Sequence, residues 1–251
     1  MKIVAATWER RNLGLDVTEI TLDRPDLENE SETLEVLRKY MIPRHYLLVK
    51  APAGAIAFLA KLQALGFIFL ECQYNISKNI RDYVAPPLFL RFVDRVSSEL
   101  LSEDEAEWLN LCRSIGDTMF TTDRVALDPM FGVGTANKRY RNWLMDMRKD
   151  RTASAYRIIC DGENIGFNAI SFETETLTAR SVLGGIFKDC QGKGLGGAMI
   201  HAPIVFSAAK GMRLYSTAIS SNNQAVFRLY LLFGFNIDSS SYVFRYCPDE
   251  N

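Results

Sequence analysis

The sequence predicts a mixed α/β protein with a mostly antiparallel central sheet flanked by helices, preceded by a smaller α/β unit. Three observations predict it. Strand-like runs dominate from Ala155 to Phe187 with a hairpin turn among them; a glycine-rich loop then opens a helix–strand–helix–strand series; and residues 1–84 alternate strand-like and helical patterns of their own. A chain of 251 residues suffices for one large domain or two small ones.

In the first unit Val17–Thr21, His45–Val49 and Phe67–Tyr74 are strand-like, and Ala55–Leu65 has the pattern of a helix stopped by Gly66. Tyr83-Val-Ala-Pro-Pro87 has linker composition, because two consecutive prolines forbid helix and remove two ladder donors. It divides the chain into an N-terminal α/β domain, 1–86, a candidate substrate-binding unit, and a main domain, 87–251. Leu88–Val93 reads as a strand, and Ser102-Glu-Asp-Glu-Ala106 as the capped, acidic start of a helix reaching Ile115. Residues 118–135 show little periodicity, whereas Lys138–Arg148 place Tyr140, Trp143, Leu144 and Met147 on one helical face. Ala155–Cys160 and Ile165–Phe172 form a hairpin about Gly162, and the strand Leu177–Phe187 follows. Beyond the glycine loop come a helix to about Ala209 stopped by Gly211, a strand Met212–Ala218, a helix from about Asn223, and a last strand Tyr242–Cys247. No solenoid-type repeat is visible.

Composition excludes several functions. Lys plus Arg (29) balance Asp plus Glu (30), so the chain lacks the field that drives binding to nucleic acid or an anionic membrane. Five cysteines, an odd number without a CxxC pair, indicate reduced thiols and a cytoplasmic protein. The N-terminus meets charge too early for a signal peptide. The most apolar stretch, Ala51–Leu70, contains Pro52, Lys61 and Gln63 and breaks at Gly66, so no membrane insertion is expected. His45 and His201 are solitary, which argues against a metal site and against a Ser-His-Asp hydrolase.

The chemistry concentrates in Gln191-Gly-Lys-Gly-Leu-Gly-Gly197. Placed between strand and helix, its N–H groups can converge on an anion at the positive end of the helix, with Lys193 at the rim. Gly192-x-Gly194-x-x-Gly197 matches a dinucleotide fingerprint, but the acid expected some 20 residues on is absent from Met212–Ala218. No lysine followed by Ser or Thr closes the loop, so a Walker motif fails. A purely structural turn would not need four glycines in six residues, given their entropic cost.

Gln191-x-x-Gly194-x-Gly196 resembles the Q/R-x-x-G-x-G/A signature of GNAT acetyltransferases, and Asn223-x-x-Val226-x-x-Leu229-Tyr230-x-x-x-Gly234-Phe235 resembles the second signature of that family at the right distance. The resemblance covers roughly residues 155–247. It implies a GNAT domain that binds acetyl-CoA without a metal. Gly185, Ile186 and Phe187 would lie beside the pantetheine arm, with an N–H near Ile186 on the acetyl carbonyl. Gln191, Gly192, Lys193, Gly194, Leu195, Gly196 and Gly197 would hold the pyrophosphate, Asn223 would contact the cofactor, and Tyr230 would protonate the departing thiolate. Two features depart from the pattern: Pro203 falls inside the helix after the loop, and no acid falls on the central strands, so the general base is unassigned. Glu173 and Glu175 lie in a turn.

Trp8-Glu-Arg-Arg-Asn-Leu-Gly-Leu15, Leu65-Gly-Phe-Ile-Phe-Leu-Glu71, Phe120-Thr-Thr-Asp-Arg124, Asp128-Pro-Met-Phe131 and Tyr140-Arg-Asn-Trp143 are similar to TDP-fucosamine acetyltransferases. That resemblance implies transfer to the 4-amino group of a TDP-linked amino-deoxysugar, with Arg124, Lys138, Arg139 and Tyr140 as its cationic and aromatic partners. The alternatives are a peptide N-terminus or free amino acid as acceptor, or a non-catalytic acetyl-CoA-binding module. An apolar strand edge is compatible with a homodimer.

Overall fold

A computed structural model describes residues 1–248; the last three residues of the 87–251 unit lie outside the described residues. Among the described residues the strands are β1 (Lys2–Ala5), β2 (Asp16–Thr21), β3 (His45–Pro52), β4 (Ile68–Asn79), β5 (Val96–Leu100), β6 (Ser154–Cys160), β7 (Glu163–Glu173), β8 (Thr178–Ile186), β9 (Leu214–Ser220) and β10 (Asn236–Tyr246). The helices are α1 (Arg10–Leu13), α2 (Arg24–Glu28), α3 (Glu30–Tyr40), α4 (Ile56–Ala64), α5 (Glu105–Ile115), α6 (Arg124–Leu127), α7 (Val133–Asp150), α8 (Ala198–Ala209) and α9 (Gln224–Leu232).

All ten strands join one mostly antiparallel sheet in the order β1-β2-β3-β10-β4-β9-β8-β7-β6-β5. The C-terminal strand β10 therefore lies between β3 and β4, and β4 lies between β10 and β9. The sheet has no break at residue 86, because β4 of the first unit is hydrogen-bonded on both sides to strands of the second.

Outward from the central β10–β4 pair, the two directions have matching senses. β10–β3 and β4–β9 are antiparallel, β3–β2 and β9–β8 are parallel, and β2–β1 and β8–β7 are antiparallel. Connectivity matches too: β2, α3, β3, α4, β4 on one side, and β8, α8, β9, α9, β10 on the other. The molecule thus contains a pseudo-twofold repeat in which the last strand of each half crosses into the other. Leu65-Gly66-Phe67 and Phe233-Gly234-Phe235 are its clearest sequence trace, both glycines holding positive φ (88° and 77°).

Alternation along β6, β7, β8 and β9 sends side chains to two cores, one on each face. Tyr156, Ile158, Ile170 and Tyr215 pack under α8 and α9, with Met199, Ile200, Tyr230 and Phe233. On the other face Ala155, Phe167, Ala169 and Leu183 meet Trp108, Leu111, Leu144 and Met147 of α5 and α7. Asp104 caps α5, accepting from the Ala106 N–H at 3.0 Å. The helix α8 runs through Pro203 without ending.

One predicted element is corrected. Leu88–Val93 is not a strand; Pro87–Arg95 forms a 3-10 helix, and the strand begins at Val96. The buried residues Phe89 and Phe92 are three apart, which is the 3-10 repeat and not the two-residue repeat of a strand.

Gly166 keeps β7 tight on β8. A Cβ there would lie 2.3 Å from the Gly185 carbonyl oxygen and 3.0 Å from Ile186 Cα, both backbone atoms unable to rotate aside. Gly166→Ala is expected to destabilise the protein by about 1–3 kcal/mol or more. The check is a lowered urea midpoint at unchanged slope.

Candidate functional site

The site begins where the sheet splits. β8 and β9 pair in parallel only from Thr178–Arg180 against Leu214–Ser216. Beyond that, β8 follows β7 and β9 follows β4, leaving a fork. An extra residue, Val182, bulges at this point, since Leu183 pairs with Ala169 but Ser181 with Ile170. The Thr217 hydroxyl donates to the Ser181 carbonyl at 3.1 Å and ties the base of the fork.

Hydrogen-bond parity decides which groups of β8 face the gap. The Phe187 N–H donates to the Ile165 carbonyl at 2.9 Å, so it faces β7. By antiparallel alternation the N–H of Gly185 also faces β7, and Ile186 turns its N–H and C=O toward the fork. Of the trio named from the sequence, Ile186 alone offers a free-facing donor. Gly185 admits the Met119 side chain instead, because a Cβ there would lie 2.6 Å from Met119 Cε.

The glycine loop occupies one mouth of the fork. Gly192 and Gly194 adopt φ of 76° and 77°, and a 3-10 turn at Leu195–Gly197 runs into α8 with no side-chain cap. Uncapped N–H groups at the start of a helix suit an anion. The four glycines divide between two duties. Gly192 and Gly194 supply the left-handed turns, whereas Gly196 and Gly197 admit neighbours: added Cβ atoms would lie 2.8 Å from Leu229 Cδ1 and 2.6 Å from Phe89 Cδ2. Leu195 is half-buried against the α8–α9 core, and Lys193 is exposed. Gln191 donates its side-chain amide to the Ile186 carbonyl at 2.9 Å, so it anchors the loop to β8.

Below the fork lies Tyr230 of α9, 3% exposed, packed edge-on against Phe235 at 4.8 Å. Burial raises its pKa, while hydrogen bonding to Ser181 and Thr217 pulls the other way. The phenol therefore stays protonated at any working pH. Asn223 caps α9, its Oδ1 accepting from the Val226 N–H at 3.3 Å.

The opposite side of the sheet carries a buried charge network that the sequence does not reveal. Glu71 of β4 is 4% exposed, with Arg124 Nη1 3.9 Å from its Oε1 and no hydrogen-bond partner for Oε2. It shares a face of β4 with Gln73, which pairs with Ser220 at the end of β9. Burial raises its pKa against the pull of Arg124. Arg124 Nη2 also meets Glu19 at 3.1 Å, and Lys50 meets Glu19 at 3.7 Å. Arg139 pairs with Glu9 at 2.6 Å, and the Tyr140 hydroxyl donates to Asp123 at 2.7 Å. Tyr46 donates to Asp128 at 2.8 Å, beside Arg245 at 3.1 Å. Arg124, Arg139 and Tyr140 are thus engaged within the protein, and Lys138 is exposed on α7. The only clue to Glu71 in the sequence is an acid ending an apolar run, and its central position follows from strand crossing alone.

The histidines lie elsewhere: His45 contacts Thr18 at 3.0 Å and His201 contacts Tyr83 at 3.0 Å. Among the described residues no group of three or more His, Cys, Asp or Glu is placed to hold a metal, and no helix is long and apolar enough to cross a membrane.

No protein-family model and no curated protein matches the chain. Solved structures do. A GCN5-related N-acetyltransferase from Sphaerobacter thermophilus superposes with a TM-score of 0.63 at 11% identity, over 99% of this chain and 78% of that one. A GCN5-related N-acetyltransferase from Kribbella flavida gives 0.58 at 14% identity, over 93% and 82%. A tandem GNAT protein from the clavulanic acid biosynthesis pathway gives 0.53 at 16% identity, over 94% and 77%. The forked sheet, with a glycine loop at its mouth and a phenol at its base, is built on the fold of the GCN5-related N-acetyltransferases.

Proposed function

We propose that this protein transfers the acetyl group of acetyl-CoA to a primary amine, in a ternary complex and without a covalent enzyme intermediate. The observation that carries this reading is the convergence on one fork of an uncapped glycine loop, the outward-facing Ile186 N–H and the buried hydroxyl of Tyr230. The residues fit the cofactor: Gly192 and Gly194 hold the left-handed turns of an anion cradle, and β8 presents an unpaired edge for an extended arm.

Each residue then has one task. The loop N–H groups and Lys193 hold the phosphates, and the Ile186 N–H polarises the thioester carbonyl. Glu71 accepts a proton from the acceptor ammonium, the freed amine attacks the carbonyl carbon, and the C–S bond breaks. Tyr230 would deliver its proton to the leaving sulfur and be restored by the second proton that the acylated nitrogen gives up as the amide forms. Glu71 suits its part because burial lifts its pKa toward that of the group it must deprotonate, and Oε2 is unengaged.

The finer reading is that the amine is the 4-amino group of a TDP-linked deoxysugar, supported by the sequence resemblance across residues 8–15, 65–71 and 120–143. Because Arg124 and Arg139 already have carboxylate partners, the nucleotide phosphates fall to exposed groups such as Lys138. An acetyl-CoA consumption assay against TDP-4-amino sugars, free amino sugars, amino acids and peptides tests both levels. Turnover of peptides or amino acids alone would remove the sugar reading, and binding without turnover of any amine would reduce the protein to a cofactor-binding module.

Glu71→Gln is expected to lower kcat about 100-fold or more. A general base works ionised, so wild-type kcat/KM rises with pH through the raised pKa of Glu71. The variant loses that rise. A Glu71→Gln enzyme with an unchanged pH profile would remove Glu71 from the mechanism.

A further inference from the structure

We propose that Arg91, from the 3-10 segment between the two sequence halves, is a positioning residue that clamps the pyrophosphate of coenzyme A from outside the glycine loop. This deepens the acetyltransferase reading and rests on it. The segment Pro87–Arg95 is fixed to the loop by aromatic packing. Phe89 is 4% exposed, stands against Gly197, and meets the rings of His201 at 5.1 Å and Phe233 at 5.6 Å. That wedge sets the place of the next exposed cation. Arg91 lies with its guanidinium carbon 4.7 Å above the Phe92 ring, and its Nη2 lies 3.5 Å from where a Cβ on Gly194 would stand. Gly194 is one of the two left-handed residues of the loop and lies at its centre.

The neighbouring cation makes a useful contrast. Arg95 also sits over Phe92, at 5.4 Å, but forms a forked pair with Asp161. Arg91 has no carboxylate partner among the described residues. Stacking on a buried ring limits its rotamers while leaving all N–H groups available, and a planar fork matches two oxygens of a phosphate. The loop backbone would approach the pyrophosphate from one side and the guanidinium from the other. A linker chosen only for flexibility would not hold against this loop an arginine that has no carboxylate partner among the described residues.

The test is calorimetry on the full chain with coenzyme A and with dephospho-coenzyme A, for wild type, Arg91→Ala and Arg91→Lys. Arg91→Ala is expected to weaken both ligands to the same extent, by about 10- to 100-fold, the range for hydrogen bonds to a charged group. It should also reduce the salt dependence of binding, with Arg91→Lys recovering part of the affinity and the unliganded melting temperature unchanged. Unaltered affinity in Arg91→Ala would overturn the proposal. A loss that vanishes with dephospho-coenzyme A would overturn it as well, by moving the contact to the 3′-phosphate. An equal loss in Arg91→Lys with a lowered melting temperature would reduce Arg91 to a packing residue. If wild type itself binds neither ligand, the acetyl-CoA reading fails, and that outcome is distinct from the three above.

Discussion

Replacing Tyr230 by phenylalanine lowers kcat near neutral pH by about 10²- to 10⁴-fold, the contribution typical of a positioned general acid, and leaves acetyl-CoA affinity close to wild type. The two halves of this expectation come from different atoms. The ring supplies packing, edge-on to Phe235 at 4.8 Å within the α8–α9 core, and phenylalanine retains it. The hydroxyl is the proposed proton donor at the base of the fork, near Ser181 and Thr217. Its loss leaves the Ser181 hydroxyl with the Asn168 side chain and the Thr217 hydroxyl with the Ser181 carbonyl, and changes stability by only about 1 kcal/mol. Because burial holds the phenol protonated, the wild-type rate should show no alkaline decline from ionisation of Tyr230 around the ordinary phenol value. Steady-state rates with a saturating amine, together with thermal melting, decide the matter. A folded phenylalanine variant within a few-fold of wild type would remove the acid from Tyr230 and leave the departing thiolate to solvent.

Local pattern suffices for elements whose residues answer to their own neighbours. The hairpin about Gly162, the helix stopped by Gly66 and the loop-to-helix junction at Gly197 all fall where periodicity and glycine place them. It fails where a segment answers to distant partners. The last strand starts at Asn236, well before the apolar Tyr242, because β4 pairs with it from Asn236 onward and β3 joins on the other side from Ser241. Phe89 and Phe92 read as strand residues because a short apolar run has no legible period until it is known what covers it. The same limit hides Glu71. Among the described residues no buried acid lies on the strands of the second half, and the topology brings in β4 from the first. Aligning Gly66 with Gly234 shows what each half does. Leu62 occupies the position of Tyr230, and the acidic segment Asp23–Glu30, without glycine, stands where the phosphate loop would be. Scaffold is repeated, chemistry is not.

Two adjacent glycines of the loop should respond in opposite ways to substitution, and this contrast is the sharpest test of the cofactor site. At Gly196 an added Cβ meets only Leu229 Cδ1, at 2.8 Å, the far end of a side chain that can turn away. Gly196→Ala should therefore fold and bind with modest loss. Gly196→Asp also folds, but it sets a carboxylate at the uncapped start of α8, where the loop is proposed to meet phosphate. Like-charge contact at a binding surface costs several kcal/mol, so coenzyme A affinity should fall by at least about 100-fold. At Gly197 the Cβ strikes Phe89 at 2.6 and 2.8 Å and Phe233 at 3.0 Å, ring atoms fixed in the core. Gly197→Ala should lower the melting temperature before it touches binding chemistry, since overpacking costs about 1–3 kcal/mol. Calorimetry with coenzyme A and thermal melting separate the two effects. Retained affinity in a folded Gly196→Asp protein would move the phosphates off this loop, and the positive φ angles of Gly192 and Gly194 would then serve the turn alone.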